Sequence, residues 1–199
     1  MKITGTPAQL KMFVAFGKLL QSRPINQVSI TSIIKAASIN RSTFYLYYSD
    51  IDAFVNDLEN RLLDYISDKQ SDQLRIAIEA TSREPSFDNA YPVFLSITRS
   101  IKDNFQLFQA LTSPNGDSAF IEKLELSMGS TLFANLSEVE ENEEFFAGVP
   151  ADYAVPMFFS SILTVIKHWL KKDKPESAEF VAKLITRTRY VSPYQLFKR

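Results

Sequence analysis

The chain has 199 residues, a formal net charge of −1, 45% hydrophobic residues, 5 Gly and no Cys. That apolar content is ample for a buried core, and the missing cysteines exclude a disulfide framework, a thiol nucleophile and a cysteine metal site. With no basic-then-apolar leader and no run of 18 apolar residues, the sequence reads as a soluble, cytoplasmic protein without a membrane partner.

In chain order, Leu10, Phe13, Val14, Gly17 and Leu20 recur at helical spacing and give a first helix, which Pro24 and Asn26 bring to an end. A second helix follows, with Ile30, Ile33, Ile34 and Ala37 on one face. Ser38-Ile39-Asn40 breaks that pattern, and Ile39 suits a plug between two crossing helices. Asn40 is a good cap for a short helix Arg41–Tyr47, because its side chain can accept a bond from a first-turn amide. That helix buries Phe44, with Tyr48 packed behind it, and turns Arg41, Ser42, Thr43, Tyr45 and Tyr47 outward. A helix fits the major groove of DNA, where polar side chains of its first turns reach base edges and phosphates. Residues 29–48 therefore read as a helix-turn-helix motif, with Ser29 and Thr31 adding backbone contacts from the preceding helix. A plain helical hairpin is the bland alternative, but a bundle helix has no need of so many exposed hydroxyls.

The motif resembles the DNA-binding motif of the TetR family of bacterial transcription regulators. The likeness rests on the apolar helix, the Ala37-Ser-Ile39 turn and the run Ser42-Thr-Phe-Tyr-Leu-Tyr-Tyr48 ending in Ser49-Asp50. Two positions depart from the family pattern. Ser38 stands where glycine is usual, and Ile51 stands where a phosphate-holding lysine is usual. The resemblance implies an all-α fold, with a three-helix head joined by a long helix to a helical body that binds an effector and dimerises. It implies a double-stranded DNA operator and a second copy of the chain as partners, and no cofactor.

Charge agrees with that division. Residues 1–50 hold Lys2, Lys11, Lys18, Arg23, Lys35 and Arg41 against Asp50, a net of +5, whereas residues 51–199 carry a net of −6. A basic head on an acidic body presents its head to a polyanion. The expected domains are accordingly 1–50 for DNA binding and 51–199 for effector binding and dimerisation.

Beyond Ser49-Asp50, Phe54, Val55, Leu58, Leu62, Tyr65 and Ile66 form the stripe of a long helix. Further helices are expected over 90–103, over 105–111, and from a cap at Asp117 or Ser118 through Phe120 and Leu136, with Ser113-Pro-Asn-Gly116 as a turn between them. Tyr65, Tyr91, Phe94, Phe108 and Phe120, with Phe105, Phe133 and Phe158, are aromatics that could line a pocket for a small apolar or aromatic effector, or could simply fill a core. From Val155 to Leu170 apolar residues come in adjacent pairs, a stripe wider than one core face requires, and Phe180 to Thr188 carries a second stripe. These two helices look like half of a four-helix dimer bundle, with Phe158, Ile162, Ile166, Trp169, Val181, Leu184 and Ile185 at the interface. Ser113-Pro-Asn-Gly-Asp117 with Ile166-x-x-Trp169-Leu170 resembles the C-terminal domain of one subgroup of TetR-like regulators over roughly residues 90–190.

An enzyme is not expected. The single His168 lies between Lys167 and Trp169, and neither a phosphate-binding loop nor a dinucleotide fingerprint is present. The stretch Glu138–Glu144 reads as a solvated loop or helix end. The function expected is that of a ligand-responsive repressor. Its rival is a non-DNA-binding adaptor of the same fold, acting through protein contacts after drift at Ser38 and Ile51.

Overall fold

A computed structural model describes residues 2–80, 90–136 and 149–188, and within these every regular element is helical. In chain order they are α1 (Pro7–Leu20), a 3₁₀ turn (Ile25–Gln27), α2 (Ile30–Ala37), α3 (Arg41–Tyr45), α4 (Ile51–Ala80), α5 (Pro92–Asp103), α6 (Phe105–Leu111), α7 (Phe120–Leu136), α8 (Ala151–Leu170) and α9 (Ala178–Thr188). Among the described residues no helix is long and apolar enough to cross a membrane. The acidic run 138–144 lies outside the described residues, as does the side chain of Phe133.

The chain forms two compact units. The first is Met1–Tyr65 with Asp103–Glu122, and the second is Ile66–Lys102 with Lys123–Arg199. This division does not coincide with a boundary at residue 50. The first half of α4, all of α6 and the turn after it cluster with the N-terminal helices.

In the first unit, α1 starts from a capping box. The Gln9 amide donates to Thr6 Oγ1 at 3.3 Å and the Thr6 amide to Gln9 Oε1 at 3.0 Å, with Pro7 at the first helical position. Its buried face, Met12, Phe13, Phe16 and Leu20, meets an aromatic hub at Phe54. The Phe54 ring lies 5.6 Å from Phe13, 5.3 Å from Phe16, 5.8 Å from Phe44 and 5.2 Å from Tyr48, centroid to centroid. Edge-to-face and tilted pairs at these separations each add about 0.5–1.5 kcal/mol beyond area burial. One side chain of α4 thus fixes α1, α3 and the turn after α3 together.

Helix α6 packs closely on α1 because Gly17 has no side chain; a Cβ there would lie 3.1 Å from Leu107 Cδ2. The turn after α6 reaches the same end of the head. Asn115 Nδ2 donates to the Leu20 carbonyl at 3.0 Å, and the Ile25 amide donates to the Asn115 carbonyl at 2.7 Å. Gly116 is required in that turn, since a Cβ would fall 2.0 Å from the Leu111 carbonyl oxygen. The N-terminal segment is also tied in: buried Asn104 accepts the Lys2 and Ile3 amides on Oδ1, and Lys2 Nζ pairs with Asp103 at 3.0 Å.

In the second unit, α5 buries Val93, Phe94, Ile97 and Ile101, α8 buries Phe159, Ile162, Leu163, Ile166, Trp169 and Leu170, and α9 buries Val181, Ala182 and Ile185. Polar ties set their register. The Thr98 hydroxyl lies 3.0 Å from the Ala178 carbonyl, the Tyr91 amide donates to Thr186 Oγ1 at 3.0 Å, and Trp169 Nε1 donates to the Glu176 carbonyl at 3.1 Å. Ser177 caps α9, its hydroxyl accepting the Phe180 amide at 3.2 Å.

Candidate nucleic-acid interface

The candidate interface is built on the rigid core just described. Ser29 and Ser32 cap α2 reciprocally, the Ser32 amide donating to Ser29 Oγ at 3.2 Å and the Ser29 amide to Ser32 Oγ at 3.1 Å. Ile33 and Ala37 are buried, Ile30, Ile34 and Ile39 half-buried. The helix stops at Ser38, whose φ of 53° and ψ of 50° are left-handed, the one such non-glycine conformation among the described residues. Serine thus makes the turn that glycine makes without strain. Asn40 stands at the cap position of α3, but its side chain makes no capping bond, contrary to expectation.

Phe44 is fully buried and Tyr48 nearly so, as expected of the inward face. Arg41, Ser42 and Tyr45 are exposed, while Thr43 and Tyr47 are half-buried. The outward surface has two columns of helical neighbours. In one, Arg41 Nη2 lies 3.2 Å from the Tyr45 hydroxyl, and its guanidinium carbon sits 5.3 Å from the Tyr45 ring centre. In the other, Leu46 follows Ser42 by one turn, its amide donating to the Ser42 carbonyl at 2.9 Å. Leu46 is 74% exposed, and the sequence reading left it out. Its spacing was the available signal: it lies midway between the buried Phe44 and Tyr48, on the opposite face. Ser29 and Thr31 are exposed, and so are the cations Lys11, Lys18, Arg23 and Lys35 of the same unit.

Behind α3 a chain of polar contacts fixes its end. Gln9 Nε2 donates to the Tyr48 hydroxyl at 3.0 Å, which donates to Asp57 Oδ2 at 2.6 Å. Arg61 Nε grips both Asp57 oxygens at 2.9 and 2.8 Å, and Arg61 Nη1 reaches the Thr4 carbonyl at 2.9 Å. Burial first, then the bond to Asp57, keeps the Tyr48 hydroxyl protonated well above the ordinary tyrosine range. Sequence reasoning expected Tyr48 inside but missed these partners; only the four-residue spacing of Asp57 and Arg61 hinted at them. Asp50 caps α4, accepting the Ala53 amide at 2.8 Å, and that bond, with the Ser49 hydroxyl, holds its carboxyl below the usual range. Ile51, the first residue of α4, is half-buried and has no group to bind a phosphate.

The aromatics singled out for an effector pocket divide between the units. Phe108 and Phe120 are fully buried in the first, with centroids 5.8 Å apart, and Tyr65 there donates its hydroxyl to Asp103 Oδ2 at 2.9 Å. Tyr91 and Phe94 stand edge to face at 5.7 Å in the second unit, where Phe94 also lies 6.3 Å from Phe158. Of the residues expected at a dimer interface, Ile162, Ile166, Trp169, Val181 and Ile185 are between 0% and 2% exposed, taken up by the unit's own core. Phe158 and Leu184 are open, as are Phe180, the first residue of the second expected stripe, and two residues that the expected interface did not include, Tyr153 and Met157. His168 is exposed near the end of α8.

Comparison with known proteins agrees with this architecture. No curated protein sequence matches the chain. A TetR-regulator crystal structure from Streptococcus agalactiae 2603V is similar over 91% of this chain and 92% of its own, at a TM-score of 0.57 and 18% identity. The dihydroxyacetone kinase operon activator DhaS is similar over 92% and 93%, at 0.57 and 15%. These identities speak for the fold. A family model described as the C-terminal region of a transcriptional regulator, of the TetR type, matches residues 88–189, more than half of the chain. With that match added to the helical head and body, the chain belongs to the TetR family of transcriptional regulators.

Proposed function

We propose that this protein is a homodimeric repressor that grips a palindromic operator through α3 and releases it when a small apolar or aromatic effector binds. The observation that carries the reading is the exposed row Arg41, Ser42 and Tyr45, mounted on the buried pair Phe44 and Tyr48 in a segment, residues 1–50, of net charge +5. Arg41 is placed to bond guanine O6 and N7, Ser42 and Thr43 to reach a base or a phosphate, Tyr45 and Tyr47 to hold phosphates, and Ser29 or Thr31 to touch the backbone beside them. The absence of a lysine at Ile51 removes one phosphate contact and leaves affinity more dependent on the rest. The left-handed turn is kept at Ser38, which favours a working motif over a drifted one.

Two-fold pairing would use the open apolar residues Tyr153, Met157 and Phe158 of α8 with Phe180 and Leu184 of α9, and the operator would mirror that symmetry. A dimer seated on a promoter blocks polymerase. An effector held near Tyr91 and Phe94 loosens the complex only through unequal affinity for the bound and released shapes. The test is selection from randomised duplexes by the purified protein at low salt, followed by gel shift and transcription in vitro. Enrichment of an inverted repeat and reduced transcription support the reading. Failure to enrich any sequence removes the DNA-binding part, and stimulated transcription removes the repressor part.

A further inference from the structure

We infer that Leu46 is a specificity-determining residue that reads the 5-methyl group of a thymine in each operator half-site. The inference rests on the DNA-binding reading above and deepens it. A leucine 74% exposed is the most open large apolar side chain among the described residues. Its backbone is held, not frayed: φ is −66° and ψ −29°, its amide is bonded to the Ser42 carbonyl, and the next two amides, of Tyr47 and Tyr48, bond back to the Phe44 carbonyl. Buried Phe44 and Tyr48, both in ring contact with Phe54, bracket it and fix its direction outward. It stands one turn beyond Ser42, alongside the column in which Arg41 and Tyr45 are engaged with each other.

What would cover Leu46 follows from its neighbours. They are a cation and hydroxyls, in a segment, residues 1–50, that carries a net of +5, so the surface around α3 suits a polyanion and not an apolar protein face. Leu46 has no donor or charge with which to hold a phosphate. In a major groove the one apolar feature is the thymine methyl, so a leucine in this row discriminates by burying that methyl. Hydrogen-bonding neighbours then fix the register, and Leu46 adds a preference for T·A at one position that they cannot supply.

The experiment uses the full-length protein and the duplex enriched from a randomised pool. Each thymine of the half-site is replaced in turn by deoxyuridine, which lacks only the methyl. The native protein should lose about fourfold in affinity per half-site at one position, the equivalent of one buried methyl-sized group. In Leu46→Ala that loss should disappear, with the salt slope and the affinity for random duplex unchanged. Leu46→Met, which keeps an apolar reach, should retain the sensitivity. If Leu46→Ala shows the same deoxyuridine profile as the native protein, or the native protein is indifferent to every methyl, the inference is overturned while DNA binding stands. If the native protein enriches no duplex, both readings fall together. Circular dichroism of each variant checks that the head remains folded.

Discussion

Replacing Tyr48 by Phe tests whether the polar chain behind α3 stabilises the head. The substitution keeps the ring and its packing on Phe44 and Phe54, and deletes only the hydroxyl. Two bonds disappear, the 3.0 Å one from Gln9 Nε2 and the 2.6 Å one to Asp57 Oδ2. Asp57 keeps both bonds from Arg61, so no charge is stranded. Gln9 is 7% exposed, and its amide donor is left with little access to water. A hydrogen bond to a charged acceptor contributes about 1.5–3 kcal/mol and an unmet buried donor costs about 1–3, so with partial relaxation the expected loss is about 2–3 kcal/mol. Urea denaturation at pH 7, followed by circular dichroism at matched protein concentration, should show a lower midpoint with an unchanged slope. A second reading comes from alkaline pH. Tyr48 titrates higher in the folded protein than the ordinary tyrosine value near 10, because burial and Asp57 favour the neutral phenol. Its contribution is therefore complete below about pH 10 and is lost as pH rises beyond it, since the unfolded chain ionises first. Tyr65 shifts in the same direction through burial and Asp103, so the variant should retain part of the alkaline decline but with a shallower slope. A variant within about 0.5 kcal/mol of the native protein, with an identical alkaline profile, would refute the reasoning.

Three other outcomes are expected. Ser38→Gly relieves the left-handed strain at φ 53° and should raise stability by about 0.5–1 kcal/mol in the same urea assay; a lower midpoint would mean that the serine is better accommodated than its angle implies. Leu184→Lys places a charge on an open position of α9, 41% exposed, and should shift sedimentation from dimer toward monomer while helicity is kept. Ile166→Lys would instead unfold the second unit, because Ile166 is fully buried within it. Arg41→Ala should relax preference at one base position per half-site by about 1–3 kcal/mol; a uniform loss over all sequences with a smaller salt slope would make Arg41 a phosphate clamp.

The sequence by itself determined most of the elements and, in the helix-turn-helix segment, which face turns inward. A helix repeats every 3.6 residues, so the positions of Phe44 and Tyr48 imply their burial and the exposure of Arg41, Ser42 and Tyr45 without knowledge of any partner. The helix over 105–111 and the turn at Gly116 were legible for the same local reason. The tertiary structure alone decided what each inward face meets. Tyr48 finds Gln9, 39 residues away, and Asn104 accepts amides from residues 2 and 3, more than 100 positions earlier. Periodicity carries no record of such pairings, because they depend on the path of the chain. The same limit explains the paired apolar residues of α8. Phe158 and Phe159 look alike in sequence, yet one is open and the other buried, and Ile162 and Ile166 are consumed by α8's own unit. A stripe width says how much apolar surface a helix must cover, not whether its own chain or a second copy covers it.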